Sequence, residues 1–193
     1  MKVLSLVLVA LCAGCASSRV SNDVLELARS TRPAGAFHIE FGDNGNMIEA
    51  GAERTLESVP AKFRDAAEAA FPGGRQVGAA RALTTDGPIW LIAKEIDGRS
   101  LEILVGDDGV VRGGEEVLDE SAWPAHVVAA AKAAVPGAKL ERVERVWGAE
   151  AQGAEAYHVK FNASGDSLRV GLTNDGQVVR LVRRIGGQVR VPR

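Results

Sequence analysis

The sequence predicts an α+β fold. Tandem units of one helix plus an antiparallel β-meander form a curved sheet with helices on one face. Three observations carry this. A helix-like segment recurs after 64 residues. Strand-like runs, several alternating apolar and polar residues, follow each copy. Asp-Gly and Ser-Gly pairs separate those runs where hairpins must turn.

The recurring segment is read first, because it sets the frame. Pro60 to Gly73 reads PAKFRDAAEAAFPG and Pro124 to Gly137 reads PAHVVAAAKAAVPG, with eight of fourteen positions identical. Proline opens each segment, where its missing N–H costs nothing. Alanine and long side chains favour helix in the middle. Pro-Gly then ends it. Ala66, Ala67 and Ala70 are expected to match Ala130, Ala131 and Ala134 in environment, and to let each helix approach the sheet.

Strands are expected at 77–83, 89–96, 101–105 and 110–111 after the first helix. After the second they are expected at 140–147, 157–161, 168–172 and 177–182. Asp97-Gly98, Asp108-Gly109, Ser164-Gly165 and Asp175-Gly176 supply turns. The spacing from Gly109 to Gly176 is 67, so the second copy carries three extra residues, placed near Gly148 to Ala154. A partial copy precedes both. Phe37 to Gly45 aligns with Leu101 to Gly109, Asn46 to Ala50 forms its second arm, and Asp23 to Arg29 forms a short helix capped by Ser21 or Asn22.

The first residues read as an address. Lys2, an uncharged run from Leu4 to Leu11 and small residues form a secretory signal, too short for a permanent span. Leu11-Cys12-Ala13-Gly14-Cys15 resembles the bacterial lipoprotein cleavage motif. That resemblance implies diacylglycerol on the Cys15 thiol and cleavage before it. Ala16 and Ser17 follow without an acid at the next position, which resembles the outer-membrane sorting pattern. The layout is then 1–14 signal, 15–22 tether, 23–56 partial copy, 57–118 first unit, 119–186 second unit and 187–193 basic tail.

Composition narrows the function. The chain has 193 residues, 46% hydrophobic and 25% charged, with net charge −2, an ordinary globular profile. No basic excess points to nucleic acid. Two cysteines, one of them removed with the signal, leave no disulfide framework or zinc site. His38, His126 and His158 share no metal spacing, and His38 and His158 are expected to face solvent. Gly-x-Ser-x-Gly, phosphate-loop and EF-hand patterns are absent, so no cofactor or metal is expected and the chain does not read as an enzyme. Asp43-Asn44-Gly45, Asp107-Asp108-Gly109 and Asn174-Asp175-Gly176 serve turns.

The order of Pro-opened, alanine-rich helix, Phe/Val-Pro-Gly, strand, aromatic-led strand, alternating strand and Asp-Gly resembles the PepSY-like periplasmic domains. These are related in fold to the beta-lactamase inhibitory protein. Pro60 to Gly73 with Trp90 to Gly109, and Pro124 to Gly137 with Tyr157 to Gly176, carry the resemblance, which covers residues 57–185. It implies one curved sheet from tandem copies, helices on one side, and a non-enzymatic binding or inhibitory role.

Candidate contacts follow from strand alternation. Phe37, Ile39, Phe41, Leu101, Ile103, Val105, Tyr157, Val159, Leu168, Val170 and Leu172 are expected beneath the helices. His38, Glu40, Glu102, His158, Lys160 and Arg169 then line the opposite face and meet a partner. Trp90 and Tyr157 are expected to pack beneath helices and Trp123 to staple its helix to the core; the alternative is that Trp90 or Trp147 sits on the open face as a binding anchor. Residues 15–118 carry 11 basic and 17 acidic side chains, and residues 119–193 carry 11 and 8. The expected function is a lipid-anchored envelope module contacting a protein or peptide. The alternative is a structural or assembly lipoprotein of the outer membrane. The basic tail is read as a solvated last strand with a frayed end, the alternative being a basic patch that meets anionic lipid, lipopolysaccharide or an acidic partner.

Overall fold

A computed structural model describes residues 22–29, 37–41, 46–148, 155–163 and 166–184. Cys15, the signal, most of the tether, the Asn44-Gly45 and Ser164-Gly165 turns and the basic tail lie outside the described residues. The chain runs α1 (Asn22–Arg29), β1 (Phe37–Phe41), β2 (Met47–Arg54), α2 (Ala61–Ala70), β3 (Arg75–Thr84), β4 (Gly87–Ile96), β5 (Arg99–Gly106) and β6 (Val111–Val117). It continues with α3 (Ala125–Ala134), β7 (Lys139–Gly148), β8 (Tyr157–Ala163), β9 (Asp166–Leu172) and β10 (Val178–Arg184). All ten strands form one sheet in sequence order, each antiparallel to the next. The sheet curls into a half-barrel.

Local chemistry sets the helix ends. Pro60 and Pro124 cap α2 and α3 at their N-termini. Phe71 N–H donates to Ala67 O at 3.1 Å and Val135 N–H to Ala131 O at 3.3 Å, after which Pro72-Gly73 and Pro136-Gly137 turn the chain away. Ala67 and Ala131 are fully buried, Ala66 and Ala130 half-buried, and Ala70 and Ala134 exposed. The six alanines match pairwise, but the expected close approach rests on the Ala67/Ala131 pair; Ala70 and Ala134 sit one turn further round and face water.

All three helices lie on one face. Val24 and Leu27 of α1 pack on Ala50 and Ala52, with Phe37 and Ile39 at the margin. Phe63 and Ala67 of α2 pack on Trp90, Ile92, Ile103 and Val105. Val127 and Ala131 of α3 pack on Val143, Val159, Phe161, Val170 and Leu172. Each fully buried aliphatic or aromatic side chain contributes roughly 1.5–3 kcal/mol. Phe41, at the end of edge strand β1, is 54% exposed and does not join this core.

Two features depart from the sequence reading. The strand expected at 110–111 extends to Val117, through Gly113 and Gly114, residues with little strand propensity of their own. A Cβ on Gly114 would lie 2.7 Å from the Trp147 ring and 2.1 Å from Glu102 O, so glycine lets the indole lie against the strand. Within the helix-covered core, Lys94 is fully buried. Its ammonium donates to Glu68 Oε2 of α2 at 2.5 Å and to Phe71 O, at the C-terminal end of that helix, at 2.6 Å.

Candidate binding site in the curl of the sheet

Strand alternation places a second set of side chains on the face away from the helices. Register pairs Glu40 with Glu49, His38 with Gly51, Glu102 with Glu115, Glu144 with His158, His158 with Gly171, and Lys160 with Arg169. His38, Glu40, Glu102, His158, Lys160 and Arg169 therefore share this face. The curl brings its two ends together. Arg169 of β9 donates to Glu40 of β1 at 2.9 Å across 129 residues of sequence. Arg180 of β10 lies 3.7 Å from the same carboxylate.

The charges on this face form one network. Arg142 Nε donates to Glu144 at 2.8 Å, and Lys160 Nζ donates to the same carboxylate at 2.9 Å and lies 3.6 Å from Glu115. Glu115 accepts from His158 Nδ1 at 2.7 Å, and Glu155 accepts from His158 Nε2 at 2.6 Å. Arg180 Nε reaches Glu155 at 2.6 Å. The path runs from β7 through β6 and β8 to β10 and back to β1. Gly171 makes room for it, since a Cβ there would lie 2.7 Å from the Glu155 carboxylate.

His158 is 4% exposed, which corrects the expectation of a surface histidine. Alternation identified its side of the sheet, but the curl buries that side. Carboxylates only accept, so both ring nitrogens carry protons and the ring is an imidazolium. Burial opposes that charge, but the hydrogen bonds His158 donates to Glu115 and Glu155 overcome it and push His158 up to about 9. Burial likewise opposes the charge on Glu115, yet the His158 contact and the Lys160 charge hold its carboxyl well below the usual range. Burial and the neighbouring Glu115 push Glu144 up. Glu155 is held low, against its burial, by His158 and Arg180.

Glu115, Glu144 and His158 bring ligand atoms within 4.8 Å of one another, the grouping that could hold a metal ion. Lys160 and the His158 protons already supply positive charge there, and an ion would have to displace them. Nor is His158 placed to act as a general base, because both of its nitrogens are committed to carboxylates.

The other candidates separate. His38 is half-buried and bonds Glu49 at 2.7 Å. Glu102 lines a shallow groove of about 440 Å³ with Val77, Ala80 and Leu91. Lys160 and Arg169 are only 21% and 20% exposed and are held by Glu144 and Glu40. Trp90 packs beneath a helix as expected, and the alternative of an open-face anchor at Trp90 or Trp147 does not hold. Both lie on the helix side, Trp90 5.8 Å from the Phe63 ring and Trp147 5.1 Å from the Phe71 ring. Sequence reasoning missed Glu115, Glu144, Glu155 and the buried Lys94.

Next to the network the curl leaves a cavity of about 630 Å³. The β3–β4 turn around Asp86 and the β5–β6 turn around Asp107 and Asp108 form part of its wall. Pro88, Ile89 and Leu104 supply apolar lining, and Glu40, His158, Arg169 and Arg180 supply charged lining.

No family model matches the chain, and no curated protein matches it. Among solved structures, a DUF2874 family protein from Bacteroides uniformis is similar at 14% identity and TM-score 0.50, covering 65% of this chain and 89% of that one. A candidate periplasmic protein from Bacteroides eggerthii is similar at 15% identity and TM-score 0.50, covering 65% and 88%. A BLIP-like protein from Bacteroides fragilis gives 14% identity and TM-score 0.49, covering 69% and 93%. At these identities the first two likenesses show a shared fold, a curled antiparallel sheet backed by helices, over about two thirds of this chain.

Proposed function

We propose that the protein is a lipid-anchored binding or inhibitory module of the bacterial cell envelope, without catalytic activity. It holds a protein or peptide partner in the curl of its sheet. The observation that carries this reading is the 630 Å³ cavity on the face opposite the helices, a size typical of ligand sites. Residues 57–118 and 119–186 are read as tandem copies of one unit, and the paired burial of Ala67 and Ala131 supports that. The likeness to a candidate periplasmic protein supports the compartment. Cys15, at the end of an apolar run, is the acylation site, and its anchor would sit in the periplasmic face of the outer membrane.

The partner test is capture from detergent-solubilised envelope, with the full chain against an Asp86→Arg variant. Asp86 is exposed beside the cavity and makes no ion pair among the described residues. One protein recovered by the wild type and lost with the variant supports the module. A barrel-assembly complex recovered equally by both would favour the structural alternative. For the anchor, Cys15→Ser is expected to move the protein out of the membrane fraction or leave it unprocessed. A fully processed variant that still sediments with membranes would contradict acylation.

A further inference from the structure

Glu40 is 9% exposed, and its two oxygens differ. Oε2 accepts from Arg169 at 2.9 Å. Oε1 is buried and accepts from no donor among the described residues. Arg180 is 3.7 Å from it but is held by Glu155 at 2.6 Å. Four buried side-chain atoms lack a hydrogen bond among the described residues, and Glu40 is the only one of their four residues that lines the larger cavity. A buried carboxylate oxygen without a donor is costly to maintain. It is a ready acceptor for a donor that a ligand brings.

The lining extends this. Six carboxylates line the cavity against three arginines and the imidazolium of His158. Asp107 pairs with Arg81 from outside the lining, Asp108 with Arg112, Glu49 with His38, Glu155 with His158 and Arg180, and Glu40 with Arg169. Asp86 has no cation beside it among the described residues. Asp86 is therefore the uncompensated charge of the lining, and it is negative, while Pro88, Ile89 and Leu104 are apolar. An apolar stem with a cationic head has the complementary chemistry.

We propose that this cavity takes the side chain of a lysine or arginine from the bound partner. Glu40 Oε1 accepts from its head group, and Ile89 and Leu104 pack along its stem. This rests on the reading of the curled face as the binding surface and names what enters it. Arg169 positions Glu40, and Asp86 adds attraction at the cavity wall.

The probe is butylguanidinium, with butyrate and plain guanidinium as controls, followed by amide and methyl chemical shifts of the wild-type protein. Saturable binding of butylguanidinium, with shifts centred on Glu40, Ile89 and Leu104, is expected. Butyrate should give no shifts there, and plain guanidinium should bind more weakly for want of a stem. A charge-assisted hydrogen bond is lost in Glu40→Gln, so affinity should fall about tenfold or more. Asp86→Asn, on an exposed turn, should weaken binding about two- to threefold and lessen its salt dependence, a readout that survives if Glu40→Gln fails to fold. No saturable binding, binding of butyrate instead, or equal affinity in a folded Glu40→Gln variant would overturn the proposal. Capture of a partner on this face by a protein that rejects the cation would overturn it too, while leaving the binding module standing.

Discussion

An imidazole with a carboxylate on each nitrogen keeps both protons, and the pH dependence of stability should report it. The His158 value rises from 6.5 to about 9 on folding. A raised folded value contributes stability that is fully present below pH 6.5 and is lost as pH rises through about 9. The size is about 3 kcal/mol. Glu115 and Glu155 act with the opposite sign. Their depressed values contribute above the ordinary carboxylate range and are lost in acid. Urea unfolding from pH 5 to 10 should therefore show a decline above pH 7 that His158→Gln abolishes. The variant should also lose roughly 3–5 kcal/mol near pH 6, because two buried carboxylates lose their shared cation. An alkaline decline of the same slope in both proteins would refute the assignment. Sequence alternation assigned His158 to its face but gave no depth. Glu115 follows two glycines that disguise a strand, and Glu144 sits in Leu-Glu-Arg-Val-Glu-Arg, where a register shift between Leu140 and Arg142 breaks the alternation. The better signal was the acid excess in the first half against the basic excess in the second. Those charges meet inside the curl, as Glu40 meets Arg169.

Helix and sheet meet through small residues, and two substitution sets test that contact. Ala67→Leu and Ala131→Leu should each cost about 1–3 kcal/mol by overpacking, while Ala70→Leu and Ala134→Leu should be near neutral on their exposed side. Equal costs at all four positions would mean that the helices are rotated from their described orientation. The α2 contact carries a second test. Lys94 occupies a position that Phe161 fills after α3, and both are fully buried. Glu68→Gln leaves the buried ammonium with a neutral partner and should cost more than Lys94→Met, which replaces the charge with an apolar chain. Thermal unfolding of the two variants decides between them; a larger loss in Lys94→Met would mean that the Phe71 carbonyl, not Glu68, is the partner that matters. Helix positions, strand order and most turns were legible because each rests on local chemistry: Pro-Gly stops, period-two alternation, Asp-Gly. Lys94 was not, because nothing nearby in sequence announces that an α2 glutamate reaches it from 26 residues away.

The curl belongs to the whole molecule, since it depends on residues at opposite ends of the sheet meeting. Register pairs each strand only with its neighbours, and no strand by itself specifies how far the sheet rolls. The Glu40–Arg169 contact and the His158 network hold the rolled form and consume charges that the sequence assigned to partner contact. Reversing Lys160 and Arg169 would break these internal pairs, so the pair is not the neutral surface probe that alternation alone suggests. Exposed Asp86 is. The most direct measurement is site-specific photo-cross-linking in the native envelope, with the reactive group placed at Asp86 near the cavity or at exposed Ala129 on α3. A discrete adduct from position 86 and none from position 129 is the expected result. Adducts from the helix side with none near the cavity would contradict binding in the curl.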